Sequence, residues 1–283
     1  MNLKNKKNSD ITIGLIGGSG QMGSLFAPLF KKQQFKIIIS DLKTKLTNEE
    51  LVKNSDIVII TVPILKTEQI IKEILPHTRK DQILMDFTSL KTFPVKQMLK
   101  SKSEVIGLHP MFGPGVKDIK GQTIVMCPAR TTNEKFIESI FNKLGANIET
   151  TTPKKHDEIM SIIQVFTHFH TILMGKTLKD LNIDIKEISK FMSPIYRLEF
   201  DIISRIFSQD PDLYGPILML NPNKNKISRT IKKNTDILKK IMAINDYQSF
   251  NKKFLETREY LGEFAKDAMQ ESNQIIKHLS SIK

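Results

Sequence analysis

The chain of 283 residues has a formal net charge of +13 and is 40% hydrophobic, which is enough for a sizeable core. Its one cysteine, Cys127, excludes an intramolecular disulfide, and the absence of any apolar run of about 18 residues argues against a membrane span. The positive charge comes mainly from scattered lysines without interleaved aromatic residues, which argues against nucleic-acid binding. We therefore expect a soluble, cytoplasmic, two-domain protein that binds neither nucleic acid nor membrane, and we predict no metal site.

Short apolar segments alternate with amphipathic segments over the first half of the chain. Strands are predicted at 11–17, 36–40, 57–62, 82–87, 104–108 and 123–128. Helices are predicted between or after them, over 21–32, 67–75, 95–101 and 133–145. This alternation is typical of a doubly wound parallel sheet of the Rossmann type.

A helical periodicity replaces this alternation from about residue 153 to the end of the chain. One apolar stripe is formed by Ile159, Ile162, Phe166, Phe169 and Leu173. We predict an α/β fold with two domains. An N-terminal Rossmann-type doubly wound parallel sheet spans 1–152, and a C-terminal all-helical domain spans 153–283.

A glycine-rich turn connects the first predicted strand to the first predicted helix. Its glycines fit the G-x-G-x-x-G pattern, in which the backbone approaches a pyrophosphate at a helix N-terminus. Asp41 ends the second strand about 20 residues on, where a carboxylate bonds the ribose hydroxyls and repels a 2′-phosphate. We expect NAD as the cofactor, although the nearby Lys43 and Lys45 keep NADP open. The predicted cofactor contacts are Gly18, Gly20, Gln21, Met22, Gly23, Asp41, Val62 and Pro63.

The segment VIGLHPMFGPG, residues 105–115, places His109 at the end of a strand and in front of a stiff loop. Ser89 and Lys91 follow the preceding strand. Because ligands bind outside the carboxyl ends of strands in such sheets, we expect all three side chains beside the nicotinamide. A histidine there can take a proton from an alcohol as hydride leaves the same carbon. The alternative is a histidine that only braces the loop.

The motif GLHPMFGP, with GGSGQMG and DFTSLK upstream and SPIYRLEF downstream, resembles the prephenate dehydrogenase family over about residues 11–275. The closest resemblance is to the dehydrogenase part of the bifunctional chorismate mutase–prephenate dehydrogenase T-proteins. It implies NAD-dependent oxidation and decarboxylation of prephenate to 4-hydroxyphenylpyruvate on the route to tyrosine. It also implies a catalytic role for His109 and a supporting role for Ser89. The substrate-binding residues that it implies are His168, Arg205 and, with a less defined role, Arg197.

The residues themselves support these assignments in part. Gln164, His168 and Thr171 lie at i, i+4 and i+7 and form one polar stripe on an otherwise apolar helix. His156 and His170 are equally prominent candidates without the resemblance.

Three charged residues of a later helix also share one face. Arg197, Asp201 and Arg205 lie at i, i+4 and i+8, which suits either carboxylate recognition or an ordinary salt-bridged face.

The resemblance further implies a homodimer formed through the helical domain, and it leaves room for tyrosine as an active-site inhibitor. Only about ten residues precede the first predicted strand, so we expect no mutase helix bundle within this chain. Two alternatives stay open. The substrate could be arogenate or 4-amino-4-deoxyprephenate, or the protein could be a non-catalytic nucleotide sensor of the same build.

Overall fold

The computed structural model describes residues 3–281, whose contacts divide into two compact units. The first unit contains the residues up to Ser161 together with Asp212–Pro222, and the second contains Ile162–Pro211 and the residues from Asn223 onward. The division into domains 1–152 and 153–283 stays a prediction. The compact units differ from it because 153–161 and 212–222 pack with the sheet.

Among the described residues, seven strands form one sheet in the first unit, in the order β2-β1-β3-β4-β5-β6-β7. All neighbouring strands are parallel except β5 and β6. The chain runs from β1 outward to β2 and then returns to β3 on the other side of β1, which is the reversal of a doubly wound fold. The predicted fold class is confirmed. The strands are β1 Thr12–Ile16, β2 Lys36–Ser40, β3 Ile57–Ile60, β4 Ile83–Asp86, β5 Glu104–Pro110, β6 Thr123–Arg130 and β7 Asn147–Thr150.

The first six α-helices of the described chain belong to the first unit and connect these strands or follow β7. They are α1 Gln21–Lys32, α2 Asn48–Lys53, α3 Ile64–Ile74, α4 Thr92–Met98, α5 Glu134–Asn142 and α6 Pro153–Met160. A π-helical segment, Ser161–Phe166, follows α6 directly. The remaining helices are α7 Thr167–Asp180, α8 Ile185–Ile188, α9 Pro194–Phe207, α10 Pro211–Leu220, α11 Lys224–Ala243 and α12 Tyr247–Ser281.

The central strands β1, β3, β4 and β5 are buried on both faces, as their near-continuous apolar sequences predict. In β3, Ile57 and Ile59 face a core shared with α1 and α5, whereas Val58 and Ile60 face a core shared with α2, α3 and α4. Aromatic rings fill the first core, where Phe26 and Phe87 lie with centroids 4.6 Å apart. Each fully buried side chain of this size contributes roughly 1.5–3 kcal/mol.

The sheet differs from the purely parallel prediction at its β5–β7 end. The connection 111–122 between β5 and β6 contains no helix, and a parallel crossover normally needs one, so β6 returns antiparallel. Strand β5 also runs two residues further than predicted and includes His109 and Pro110. Pro110 is tolerated because it is the last residue of the strand, and the ladder continues with Met111 N donating to Thr123 O at 2.9 Å.

The helices of the second unit expose many large apolar side chains. Helix α12 has no buried residue among those described, and its helical geometry breaks at Gly262, where φ is 52°. None of the described helices is long and apolar enough to cross a membrane.

Candidate active site

The glycine-rich turn after β1 has the backbone geometry of an anion cradle. Gly17 has a φ of 76°, and Gly20 precedes α1 without a side-chain cap, so the first N–H groups of α1 are available to a phosphate. A Cβ on Gly23 would lie 2.5 Å from Gly18 Cα, and one on Gly18 would lie 2.7 Å from Ile39 Cγ2. Only glycine lets the turn and the helix approach this closely.

The other predicted cofactor residues border this turn. The Asp41 carboxylate at the end of β2 accepts hydrogen bonds from Ser19 N at 2.9 Å and Leu42 N at 2.7 Å. Val62 packs against the turn, since a Cβ on Gly17 would lie 2.8 Å from Val62 Cγ1. Pro63 precedes α3, and Gln21 and Met22 are the first residues of α1. These residues fit a dinucleotide, with α1 facing the pyrophosphate and Asp41 within reach of a ribose.

His109 lies inside β5 and is 2% exposed. Its Nδ1 is 2.9 Å from Nε2 of His156, and Nδ1 of His156 is 2.8 Å from Oδ1 of Asp157. His156 and Asp157 are buried residues of α6, which belongs to the same compact unit as the sheet. The three side chains therefore form a hydrogen-bonded row from α6 to β5.

The electrostatics of this row favour neutral imidazoles and an ionised carboxylate. Burial, followed by the nearby His156 and Lys91, holds the pKa of His109 well below its ordinary value. Burial also lowers the pKa of His156 and outweighs the hydrogen bond to Asp157 that raises it. For Asp157, burial alone would raise the pKa, but hydrogen bonds from His156, Thr92 and Lys91 outweigh it and lower the pKa. A neutral His109 can accept a proton at neutral pH.

The expectation that Lys91 presents its ammonium beside the nicotinamide is wrong. Lys91 is fully buried, pairs with Asp86 and donates a hydrogen bond from Nζ to Leu108 O at 2.8 Å. Its stem runs under β5, where a Cβ on Gly107 would lie 2.9 Å from Lys91 Cδ. A buried ammonium needs such a partner, so the lysine is held by Asp86. Ser89 lies half-buried in the turn after β4.

His168 occupies the first turn of α7 and is half-buried, and this burial lowers its pKa. Gln164 of the predicted polar stripe lies in the π-helical segment, whereas His168 and Thr171 lie in α7. All three side chains are half-buried, and their alignment as one stripe stays a prediction.

The two predicted substrate-binding arginines of α9 differ in their surroundings. Arg197 donates from Nε to Asp201 Oδ1 at 3.0 Å, and both side chains are more than half exposed. This is the salt-bridged face that the sequence allowed as an alternative. Arg205 is also exposed, and within residues 3–281 it takes part in no ion pair.

Sequence reasoning did not connect His156 or Asp157 with His109. The only local signal is the adjacent His-Asp pair at the start of a helix, and such a pair is common on surfaces. Their contact with His109 spans 47 residues and depends on how α6 packs. Among the described residues, no group of three His, Cys, Asp or Glu side chains could hold a metal ion.

Comparisons with known proteins agree with this architecture. Residues 31–150 match the family model described as "Prephenate dehydrogenase, nucleotide-binding domain", and residues 152–276 match "Prephenate dehydrogenase, dimerization domain". A probable arogenate/prephenate dehydrogenase of Methanocaldococcus jannaschii is 38% identical over 97% of this chain and 66% of its own length. The T-protein of Haemophilus influenzae is 34% identical over 98% of this chain and 74% of its own length. The chain thus spans about two thirds to three quarters of the length of these relatives.

Solved structures show the same fold at lower sequence identity. A prephenate dehydrogenase from Aquifex aeolicus, in complex with hydroxyphenyl propionate and NAD+, gives a TM-score of 0.69 at 20% identity and covers 95% of this chain and all of its own. An arogenate dehydrogenase from Synechocystis gives 0.66 at 19% identity over 90% of this chain and all of its own.

Proposed function

The chain belongs to the prephenate dehydrogenase family, and we propose that it oxidises and decarboxylates prephenate to 4-hydroxyphenylpyruvate with NAD as the oxidant. One observation carries the proposal. His109 is buried, which holds its pKa well below the ordinary value, and it lies at the carboxyl end of β5, in the same sheet whose β1 ends at the anion cradle. This is the edge where ligands bind in a doubly wound sheet.

The cofactor would be held by the turn between β1 and α1, by Asp41 and by the Val62–Pro63 segment. The N–H groups at the start of α1 would bind the pyrophosphate, and the Asp41 carboxylate would accept from the ribose hydroxyls and disfavour a 2′-phosphate. When bound, the nicotinamide supplies the hydride acceptor.

His109 supplies the base. Its Nε2 accepts the proton of the C4 hydroxyl, so the O–H bond breaks and an N–H bond forms. At the same time the hydrogen on C4 leaves as a hydride, and C4 becomes a carbonyl carbon. The ring carboxylate leaves as CO2, its bonding electron pair completes the aromatic ring, and the proton returns to the oxygen to give the phenol. No net proton is consumed. Ser89, in the turn after β4, supports the histidine and the hydroxyl.

Prephenate is a dianion and needs cationic partners. We assign its ring carboxylate to Arg205, whose exposed guanidinium has no ion-pair partner within residues 3–281 and can bind a carboxylate through two parallel hydrogen bonds. His168 and Arg197 are further substrate contacts in this proposal, and binding at Arg197 would have to compete with Asp201. The net charge of +13 attracts a dianionic substrate over a longer range.

The proposed proton transfer would serve arogenate equally, because arogenate differs from prephenate in its side chain and not at C4. The proposal also includes a homodimer and competition by tyrosine, whose phenol ring resembles that of the product. A non-catalytic sensor is the contrasting function, because it would bind the nucleotide without needing a base at His109.

Initial rates of NADH formation test the proposal, with prephenate and arogenate offered in turn with NAD and with NADP. Fast turnover of prephenate with NAD supports it. Turnover of arogenate alone would assign the arogenate dehydrogenase activity that the name of the Methanocaldococcus jannaschii relative includes. Nucleotide binding without turnover of either substrate would favour the sensor.

A further inference from the structure

The hydrogen-bonded row Asp157–His156–His109 gives the site a feature that the proposed function does not by itself require. We infer that His156 and Asp157 are positioning residues that keep a proton on Nδ1 of His109 and so leave the lone pair on Nε2 for substrate. This inference rests on the proposed function for its catalytic consequence. The protonation pattern itself stands on the geometry of the first compact unit.

The direction of each hydrogen bond follows from Asp157. Its Oδ1 accepts from Lys91 N at 2.9 Å and its Oδ2 accepts from Thr92 N at 2.9 Å. Backbone N–H groups can only donate, so both oxygens act as acceptors. These hydrogen bonds, together with the one from His156, lower the pKa of Asp157 and keep its carboxylate ionised. Nδ1 of His156, at 2.8 Å from Oδ1, must therefore carry a proton and donate it.

The same reasoning passes through the two rings. A neutral His156 with its proton on Nδ1 has a lone pair on Nε2. Nδ1 of His109 lies 2.9 Å from that lone pair and must donate to it. His109 is then the tautomer with its proton on Nδ1 and an acceptor at Nε2, which is the atom that the proposed proton transfer uses.

The row also compensates the positive charge that develops on His109 when it takes the hydroxyl proton. The charged groups around the two rings are Lys91 from the turn before α4, Asp86 from β4 and Asp157 from α6. Lys91 opposes a second positive charge, and Asp86 is already paired with Lys91. Asp157 therefore supplies the compensating charge, and His156 transmits it because the imidazolium proton on Nδ1 shifts toward His156 Nε2.

A purely structural role must be separated from this one. Asp157 also fixes the start of α4 through Lys91 N and Thr92 N, and its backbone oxygen accepts from Asn221 Nδ2 at 3.1 Å. Substituting Asp157 would disturb that anchor together with the row. His156 is the cleaner position, because its side-chain hydrogen bonds in the described part of the chain go to His109 and Asp157.

The tautomers can be read without turnover. In protein labelled with ¹⁵N-histidine, long-range ¹H–¹⁵N spectra near neutral pH distinguish protonated from unprotonated ring nitrogens, and the His109 and His156 signals are assigned from variants lacking each ring. We expect both rings to carry their proton on Nδ1. A His109 ring protonated at Nε2 would overturn the inference, whether or not the protein turns over prephenate.

Kinetics with two substitutions at one position test the catalytic consequence. His156→Leu keeps an apolar side chain in the buried space and leaves Asp157 held by two backbone N–H groups, so a packing role would survive it. We expect kcat to fall by about 100-fold with KM for prephenate changed by less than about threefold. His156→Gln, whose amide can accept from His109 and donate to Asp157, should recover about tenfold of that loss.

The control is the same pair of substitutions at His77, whose Nδ1 lies 3.5 Å from Glu49 Oε1 and which takes no part in the row. Substituting His77 should leave kcat unchanged. A folded His156→Leu protein whose kcat stays within about threefold of the unsubstituted enzyme would contradict the inference. If that variant does not fold, the tautomer of His109 in the unsubstituted protein decides. If the unsubstituted protein does not oxidise prephenate at all, the proposed function fails. The NMR spectra still test the inferred tautomers of His109 and His156.

Discussion

Burial determines the chemistry of His109, because desolvation disfavours its charged form and leaves a neutral ring at neutral pH. Replacing it by asparagine removes the base and retains a side chain that can hydrogen bond. We expect His109→Asn to lower kcat by about 10²- to 10⁴-fold. Titration calorimetry should show NAD binding unchanged, because the glycine-rich turn is untouched. A variant with ordinary turnover would remove His109 from the reaction.

The pH profile follows from the direction of the same shift. A base must be unprotonated to act, so kcat/KM falls where His109 of the free enzyme becomes protonated, and its pKa lies below the ordinary value of 6.5. We expect the acid limb of kcat/KM for prephenate to have its midpoint below pH 6.5 in a buffer series. A midpoint at or above 6.5 would show that burial does not control the essential group.

Arg205 and Arg197 lie two turns apart on α9, and only Arg197 is held by a carboxylate within the described chain. We expect Arg205→Ala to raise KM for prephenate by about 10-fold or more with a smaller change in kcat, because a bidentate carboxylate contact is lost. Arg229 of α11 offers a matched control, since its Nε donates to a backbone oxygen of its own helix at 3.2 Å. Equal effects of Arg205→Ala and Arg229→Ala on KM would refute a specific role for Arg205.

At the scale of elements, the first turn of α1 depends on glycines that bring two backbone segments together. A Cβ on Gly23 would lie 2.5 Å from Gly18 Cα, so Gly23→Ala must push α1 away from the turn. We expect a loss of about 1–3 kcal/mol in the free energy of unfolding and a weaker affinity for NAD. The matched control is Gly115→Ala in the connection between β5 and β6, where a Cβ meets nothing within 4 Å and φ is not positive. Denaturant titrations measure the free energy of unfolding of both variants, and titration calorimetry measures their affinity for NAD.

Elements with a strong local signal could be predicted from the sequence, and those with a weak one could not. Helix α1 spans Gln21–Lys32 as predicted, because the glycine turn marks its start and Gln34, with a φ of 70°, lies just beyond its end. Strand β7 has one half-buried residue and three exposed ones, so it shows no apolar run. The antiparallel β6 was predictable in principle, because the segment before it lacks helical periodicity.

The candidate site likewise contains residues that the local sequence predicts and residues that it does not. The cradle residues follow from spacing along one turn, and their placement needs little tertiary information. The row from Asp157 to His109 joins a strand to a helix 47 residues later, and no local pattern specifies which histidine of the helical half reaches the sheet. The π-helical segment Ser161–Phe166 is equally invisible to a 3.6-residue periodicity.

At the scale of the whole molecule, the exposed apolar surface of the second unit needs a partner. On α12, Tyr247, Phe250 and Phe254 follow one face, with neighbouring ring centroids 6.4 and 6.0 Å apart, and all three are at least 44% exposed. Monomeric proteins rarely expose apolar patches of this kind. We expect a homodimer in light scattering and a shift toward monomer in Phe254→Asp. A mass equal to one chain for the unsubstituted protein at all concentrations would contradict the proposed dimer.

The central claim is that this chain oxidises prephenate, with NAD bound at the glycine-rich turn after β1 and buried His109 acting as the base. The most direct measurement is the initial rate of NADH formation with prephenate and NAD, for the unsubstituted protein and for His109→Asn side by side. The account predicts rapid turnover that the substitution reduces by about 10²- to 10⁴-fold. Equal rates for the two proteins, or no turnover of prephenate by a protein that binds NAD, would contradict it.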